Sequence, residues 1–152
     1  MTTYELYSIG HGNKEINGFI ADLKKLKLQV VVDIRSTPYS SNFPDYNQER
    51  LMEKLKDNNI EYIFFGDKLG GRPQKGFSNF VKTKDFKKHI AQLLYLITNK
   101  TAALMCSEFD YLSCHRKFIS DELRKMGIGI KDVDKYGNIV KEEQFSMKQY
   151  QR

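Results

Sequence analysis

With 152 residues, of which 40% are hydrophobic and 29% charged, the chain can bury one core and has an ordinary globular composition. No apolar run approaches the roughly 18 residues of a membrane span, and the amino terminus lacks the basic segment and apolar core of a secretory signal. We therefore predict one domain over residues 1–152, cytoplasmic and without a membrane partner. The net charge of +6 favours an acidic partner such as a nucleotide or nucleic acid, although solvated lysines on helix faces explain it equally well.

The first elements follow from the apolar pattern. Residues 4–9 form an apolar and aromatic run that ends in a glycine-containing turn, which predicts a strand. Apolar residues at three- and four-residue steps over 15–26 predict an amphipathic helix. The aliphatic run 28–34 is typical of a strand covered on both faces, and we place it in the middle of the sheet. Residues 35–46 contain two prolines and no period, which predicts a long loop of the kind that carries function.

The rest of the chain continues the alternation of helices and strands. The predicted elements are a helix capped by Asn47 that ends near Asn58, a strand over 60–65, a loop over 66–79, a helix over 85–98, a strand over 102–106, a helix from the N-cap Ser113 through Met126, a strand over 128–133 and a hairpin over 134–140. Gly127 ends the last helix, and a polar tail begins at about residue 141.

This order predicts an α/β fold, with a mostly parallel sheet of about five strands, helices on both faces and a possible antiparallel hairpin at the end. The carboxyl ends of parallel strands lie at the same edge of a sheet. Open α/β sheets bind ligands at that edge, so the loops after the first four strands are the predicted location of a functional site.

Four short motifs in these loops resemble those of a known family. They are Ser8-Ile-Gly-His-Gly-Asn13, Val32-Asp-Ile-Arg-Ser36 followed by Pro38, Leu69-Gly-Gly-Arg72, and Leu104-Met-Cys-Ser-Glu108 with Cys114-His-Arg116. Together they resemble the prokaryotic family catalogued as domain of unknown function 488, over nearly the whole chain. The resemblance implies a compact α/β domain with a site at these motifs, and it implies no substrate or reaction.

The first motif offers an anion site. Gly10 and Gly12 allow backbone amides to approach an anion closely, and the helix that follows adds its positive end. The pattern is not that of a dinucleotide-binding or nucleoside-triphosphatase loop, and a plain tight turn is the alternative. His11 in this turn is a candidate general acid/base or phosphate donor, or an ordinary hydrogen-bonded loop histidine.

The second motif places a carboxylate and a guanidinium together. Asp33 ends an aliphatic strand, and Arg35 two residues later points to the same side of an extended chain. Either the two side chains pair with each other, or Asp33 holds a sugar hydroxyl or activates water while Arg35 binds phosphate through a bidentate contact. Ser36 and the turn with Gly71 and Arg72 are further candidates for phosphate binding.

Glu108 follows the fourth predicted strand as Asp33 follows the second, so the two carboxylates are predicted to lie across one cleft. Such pairs carry out acid/base chemistry, including that at N-glycosidic and other glycosidic bonds. A loop carboxylate that caps backbone amides is the alternative.

Cys114 is predicted in the first turn of a helix, where a thiol becomes a stronger nucleophile. His115 does not face it, because adjacent helical residues point apart. We therefore favour a packing role for Cys114 and anion contact for His115 or Arg116, and His115 is also a candidate acid/base residue beside Asp33 and Glu108. Cys106 is assigned to the core. Without a secretion signal both cysteines are predicted to be reduced, and their spacing with His115 does not match a zinc site.

Aromatic residues accompany the basic ones in these loops, as in proteins that stack bases. They are Tyr39, Phe43, Tyr46, Phe77, Phe80, Phe109 and Tyr111. We therefore expect an enzyme that acts on a nucleotide or nucleic acid by hydrolysis or group transfer, without a metal or redox cofactor. The alternatives are a binding module that uses the same loops without chemistry, and a thiol-dependent enzyme that uses Cys114.

Overall fold

The computed structural model describes residues 3–70, 76–109 and 115–140. Its strands are β1 (Glu5–Gly10), β2 (Val30–Asp33), β3 (Glu61–Phe64), β4 (Thr101–Cys106) and β5 (Ile130–Asp132). They form one parallel sheet in the order β3-β2-β4-β1-β5. The predicted α/β class is confirmed.

The helices follow the apolar periodicity of the sequence. They are α1 (Ile16–Lys25), α2 (Gln48–Asp57), α3 (Gly66–Leu69), α4 (Phe77–Phe80), α5 (Lys84–Leu96) and α6 (Arg116–Lys125), with a 3-10 turn over Pro44–Tyr46. At the start of α1 the Glu15 side chain accepts a hydrogen bond from the Gly18 amide. Thr83 does the same for the Phe86 amide at the start of α5.

Two hydrophobic cores lie on opposite faces of the sheet. One joins Phe19 and Leu23 of α1 and Leu51 of α2 to the strands, and the other joins Leu93 of α5 and Leu123 of α6 to them. The neighbouring strands β1 and β4 therefore lead into helices on opposite faces. This arrangement leaves a crevice at their carboxyl ends, where ligands bind in open α/β sheets.

Some predicted boundaries differ from the structure. The run 28–34 forms β2, which lies between β3 and β4, and the central strand is β4. The segment predicted as a loop over 66–79 contains the single-turn helices α3 and α4. The predicted hairpin is reduced to one antiparallel bridge between Val133 and Ile139.

The last helix also begins later than predicted. The described part of α6 starts at Arg116 with His115 as its N-cap, and the predicted cap Ser113 lies outside the described residues. Gly127, with φ of +82°, follows the helix as predicted. No helix in the described ranges has the length and apolar character needed to cross a membrane.

Candidate functional site

A pocket of about 820 Å³ opens at the carboxyl edge of the sheet, and every segment that lines it follows a strand. The lining residues are His11, Gly12 and Asn13 after β1, Arg35, Thr37, Tyr39, Ser40 and Phe43 after β2, Ser107, Glu108 and Phe109 after β4, and Lys135 after β5. Three of the four predicted loops thus contribute to one pocket. The pocket lies where β1 and β4 send their helices to opposite faces of the sheet.

Asp33 and Arg35 form a buried ion pair, and Arg35 lines the pocket. Arg35 Nε donates to Asp33 Oδ1 at 2.9 Å and Arg35 Nη2 donates to Asp33 Oδ2 at 2.8 Å. Oδ1 also accepts from the Arg35 amide, and Oδ2 accepts from Tyr62 Oη at 2.6 Å. The Asp33 side chain is completely buried and does not line the pocket. The structure therefore shows the mutual pairing that was one of the two expectations.

Arg35 has little capacity left for a ligand. Its Nη1 donates to the Tyr46 carbonyl oxygen at 2.8 Å and lies 3.4 Å from His11 Nε2. A guanidinium has five N–H groups, and two of them point to Asp33, one to Tyr46 and one to His11. Arg35 can therefore donate at most one further hydrogen bond to a phosphate, which excludes the bidentate contact expected of it.

His11 is held as a neutral ring. Its Nδ1 lies 2.8 Å from the Gly12 carbonyl oxygen, which only accepts, so Nδ1 carries the proton and Nε2 faces Arg35 as an acceptor. The ring stacks on Tyr46 at 4.1 Å between centroids, and Tyr46 Oη donates to the Lys14 carbonyl oxygen. Burial is the main cause that lowers the pKa of His11 from 6.5 to about 4, and Arg35 lowers it too, whereas the Gly12 bond and Asp33 raise it.

This pKa makes the stability of the fold depend on pH. Below pH 6.5 the unfolded chain binds a proton at residue 11 that the folded chain excludes, so the free energy of unfolding falls as pH drops towards 4. The shift from 6.5 to about 4 corresponds to a loss of about 3 kcal/mol of unfolding free energy over this range. Above pH 6.5 His11 is neutral in both states and contributes no further change. Urea unfolding of wild type and His11→Gln at several pH values measures the effect, because the variant should lack this loss.

His89 provides the matched control for this prediction. It lies on α5, away from the pocket. A His89→Gln variant should keep the wild-type dependence on pH. Equal dependence in His11→Gln and wild type would show that His11 is not the residue responsible.

The glycines of the first motif allow two loops to pack together. A Cβ atom at Gly10 would lie 1.5 Å from the Glu108 carbonyl oxygen, and Gly12 has a φ of +51°. The amides of His11 and Gly12 donate to the carbonyl oxygens of Cys106 and Ser107 at 3.0 and 2.9 Å. Those two amides are therefore used inside the protein, and the tight-turn alternative accounts for the glycines better than an anion cradle does.

Glu108 presents its carboxylate to the pocket. The residue is exposed, and among the described residues no side chain or amide bonds to this carboxylate. Its carbonyl oxygen accepts from Arg116 Nη2 at 2.8 Å, and Cys106 Sγ lies 3.5 Å from the same oxygen. The main chain at this position is fixed while the side chain faces the pocket.

Arg116 is the residue that fixes this loop. It is completely buried and donates to Ser8 Oγ at 2.8 Å and to the carbonyl oxygens of Glu108 and Phe109 at 2.8 and 3.1 Å. It does not line the pocket. Its predicted contact with a ligand anion is therefore replaced by a positioning role, in which a helix α6 side chain holds the loop after β4.

The other predicted residues lie elsewhere. His115 Nε2 donates to the Ile34 carbonyl oxygen at 3.0 Å, and its ring contacts Phe77 on the α5 side of the sheet. Ser36 is exposed beside Gly70, where an added Cβ would lie 2.7 Å from Ser36 Oγ. Gly71, Arg72 and Cys114 lie outside the described residues. Cys106 is buried in the core, as predicted.

The aromatic residues divide between the pocket and the core. Tyr39, Phe43 and Phe109 line the pocket, and Tyr46 lies beneath His11. The remaining two described rings, Phe77 and Phe80, pack with Phe86 on the other side of the sheet. Tyr111 lies outside the described residues. About half of the predicted aromatic set therefore contributes to the pocket.

A protein-family model described as "Domain of unknown function DUF488" matches residues 15–123, which is most of the chain. The chain belongs to this family. No curated protein and no solved structure matches it. The matched part of the DUF488 domain includes Arg35 and Glu108, whereas the Gly10–Gly12 turn precedes it.

Several pocket residues of this DUF488 domain were not predicted. They are Asn13, Thr37, Ser40, Ser107 and Lys135. Lys135 had a usable signal, because it follows the fifth strand and the same edge rule applies to that strand. Within the described part of the chain, no three His, Cys, Asp or Glu side chains are grouped so that they could hold a metal ion.

Proposed function

We propose that this protein binds a nucleotide, or the nucleotide at the end of a nucleic acid, and cleaves or transfers a group with Glu108 as the acid/base residue. The observation that carries the proposal is the pocket at the carboxyl edge, because it combines one unbonded carboxylate with three aromatic rings and two cations. Its volume of about 820 Å³ lies in the range of small-molecule sites, about 300–1,000 Å³.

The binding groups fit a base and a phosphate. The Tyr39 and Phe43 side chains are 51% and 37% exposed, and Phe109 is partly exposed, so their rings offer surfaces on which a base stacks. Lys135 is exposed and lines the pocket, so its ammonium group is available to a phosphate. Arg35 adds a fixed positive charge to the pocket, although Asp33 neutralises part of it.

The chemistry rests on one carboxylate. Glycosidic hydrolysis ordinarily uses two, and the second one expected here, Asp33, is buried with both oxygens bonded. Glu108 therefore acts alone and, as a general base, takes a proton from a water or hydroxyl. The oxygen of that water or hydroxyl forms a bond to the substrate as the bond to the leaving group breaks, and the protonated Glu108 then returns the proton to the leaving group. Such a base contributes about 10²–10⁴-fold to a rate.

The alternative is a binding module without chemistry, and one observation favours it. His11 is buried and neutral with both nitrogens engaged, so neither it nor Asp33 is available as a second acid/base group. In this case the Glu108 carboxylate accepts hydrogen bonds from donors on the ligand. The same substitution separates the two functions.

Glu108→Gln should keep the binding of a nucleotide ligand within about tenfold and lower turnover by at least about 100-fold. A panel of nucleoside phosphates and short single-stranded DNA and RNA is tested for binding by calorimetry and for products by chromatography. Glu53→Gln is the control, because Glu53 is exposed on α2 outside the pocket.

The outcomes divide clearly. Unchanged turnover in Glu108→Gln would contradict the acid/base role of Glu108. Tight binding by the wild type without product formation from any member of the panel supports the binding module. Absence of binding to every nucleotide and oligonucleotide contradicts both.

A further inference from the structure

The exposed face of α5 carries three lysines along one stripe. At 100° per residue, one stripe of about 100° contains exposed residues only, namely Lys84, Lys87, Lys88, Ala91 and Tyr95. The stripe contains three lysines and no acidic residue. The exposed Asp85 lies beside this stripe, outside it. The exposed faces of α2 and α6 mix both signs, with Glu49 and Glu53 on α2 and Asp121 on α6.

The position of these lysines does not stabilise the helix. Lys84 is three residues from Lys87 and four from Lys88, so like charges face each other on the helix surface. All three lie in the first two turns, near the positive end of the helix dipole. In α1 the two lysines lie in the last turn, where the dipole favours them, whereas α2 and α6 have basic residues in both the first and the last turn.

The exposed Asp85 in the first turn of the same helix, three residues before Lys88, offsets this repulsion only in part. The ion pairs among the described residues include none of the three lysines. The helix therefore keeps an unfavourable arrangement of charge that a negatively charged partner would relieve. Charge complementarity makes that partner a polyanion.

We propose that this stripe binds the phosphate backbone of a single-stranded nucleic acid and that Tyr95 stacks on one of its bases. Tyr95 is 82% exposed at the far end of the stripe, and the small Ala91 leaves the surface between it and the lysines open. The stripe, from Lys84 to Tyr95, is about 16 Å long at about 1.5 Å per residue. The exposed ring in line with the lysines favours a strand with accessible bases over other polyanions.

The stripe begins near the edge of the sheet that carries the pocket. Phe86 of α5 contacts Phe77, whose ring lies 5.2 Å from that of His115, and His115 bonds to the end of β2 through Ile34. The inference goes beyond the proposed function and stands without it, because no pocket residue is part of the stripe.

The test replaces the three lysines together, as Lys84→Gln, Lys87→Gln and Lys88→Gln. Fluorescence anisotropy with labelled single-stranded DNA and RNA should show at least about tenfold weaker binding than the wild type. The slope of log affinity against log salt should fall by about 2, since three phosphate contacts contribute about 0.7 each. The control replaces Lys24, Lys25 and Lys27 by Gln, which removes the same charge at the end of α1 and should leave affinity within about twofold.

Tyr95→Ala tests the stacking contact separately. It should weaken binding of the single strand about tenfold and leave binding of a duplex of the same sequence nearly unchanged. The triple lysine variant should unfold at the wild-type temperature or above it, because repulsion is removed, so a loss of binding would not reflect unfolding.

Several results would overturn the proposal. The first is a triple variant of α5 that keeps the affinity and salt dependence of the wild type. The second is a loss of affinity in the α1 control as large as that in the α5 variant. The third is a wild-type protein that binds no oligonucleotide. Preference for a polyglutamate peptide or for anionic lipid vesicles over the oligonucleotides would also overturn it. Equal single-strand binding by Tyr95→Ala and wild type would overturn the stacking role.

Discussion

Replacement of Asp33 by alanine is expected to lower the free energy of unfolding by about 3–5 kcal/mol. The carboxylate is completely buried and bonds to Arg35 through both oxygens. Alanine would leave the Arg35 guanidinium, whose side chain is 4% exposed, without its anion, and Tyr62 Oη without its acceptor. Urea denaturation of the variant and the wild type at neutral pH measures the loss.

An exposed ion pair provides the matched control. Lys100 Nζ and Glu61 Oε1 are 3.3 Å apart, with side chains 42% and 53% exposed, so Glu61→Ala should cost less than about 1 kcal/mol. Adding Arg35→Met to Asp33→Ala should recover part of the loss, because no uncompensated charge then remains in the core. A loss for Asp33→Ala no larger than that for Glu61→Ala would contradict the importance of the buried pair.

The pairing of Asp33 could be predicted only in part from the sequence. A carboxylate at the end of an aliphatic strand needs a partner, and the spacing places Arg35 on the same side. The sequence does not show that Tyr62 supplies a further donor to the same carboxylate. That contact depends on β3 lying beside β2, which is a property of the strand order.

Strand order also explains the position of Arg116. As a basic residue at the start of a helix beside the predicted site, it fits an anion contact equally well. Because β1 and β4 are neighbours, Ser8 and the carbonyl oxygen of Glu108 both lie within its reach. Local patterns give the strands and their ends but not which strands are adjacent, so this burial could not be predicted.

The location of the site was predictable for a different reason. In a parallel sheet the carboxyl ends of all strands share one edge, so the alternation of strands and helices alone places the loops together. The sequence does not show which side chains of these loops point into the pocket. In the loop after β2 their direction depends on contacts such as the bond from the Ser40 amide to Asn47 Oδ1, which uses the side chain expected to cap α2.

Gly10→Ala is the second substitution with a large expected effect. The added Cβ would lie 1.5 Å from the Glu108 carbonyl oxygen and 2.9 Å from the Phe109 amide nitrogen, so main-chain atoms must move apart. Backbone is less able to adjust than the end of a side chain, and we expect a loss of about 3 kcal/mol, the upper part of the range for overpacking. Thermal and urea unfolding measure it.

Gly129→Ala is the control for this substitution. Gly129 precedes β5, is exposed, and no heavy atom lies within 4 Å of its added Cβ, so alanine should be neutral or slightly stabilising there. The displacement of the Glu108 main chain also predicts that the folded fraction of Gly10→Ala binds the pocket ligand more weakly than the wild type. Equal stability of Gly10→Ala and Gly129→Ala would mean that the loops after β1 and β4 are not packed together. The position of Glu108 in the pocket would then lose its main support.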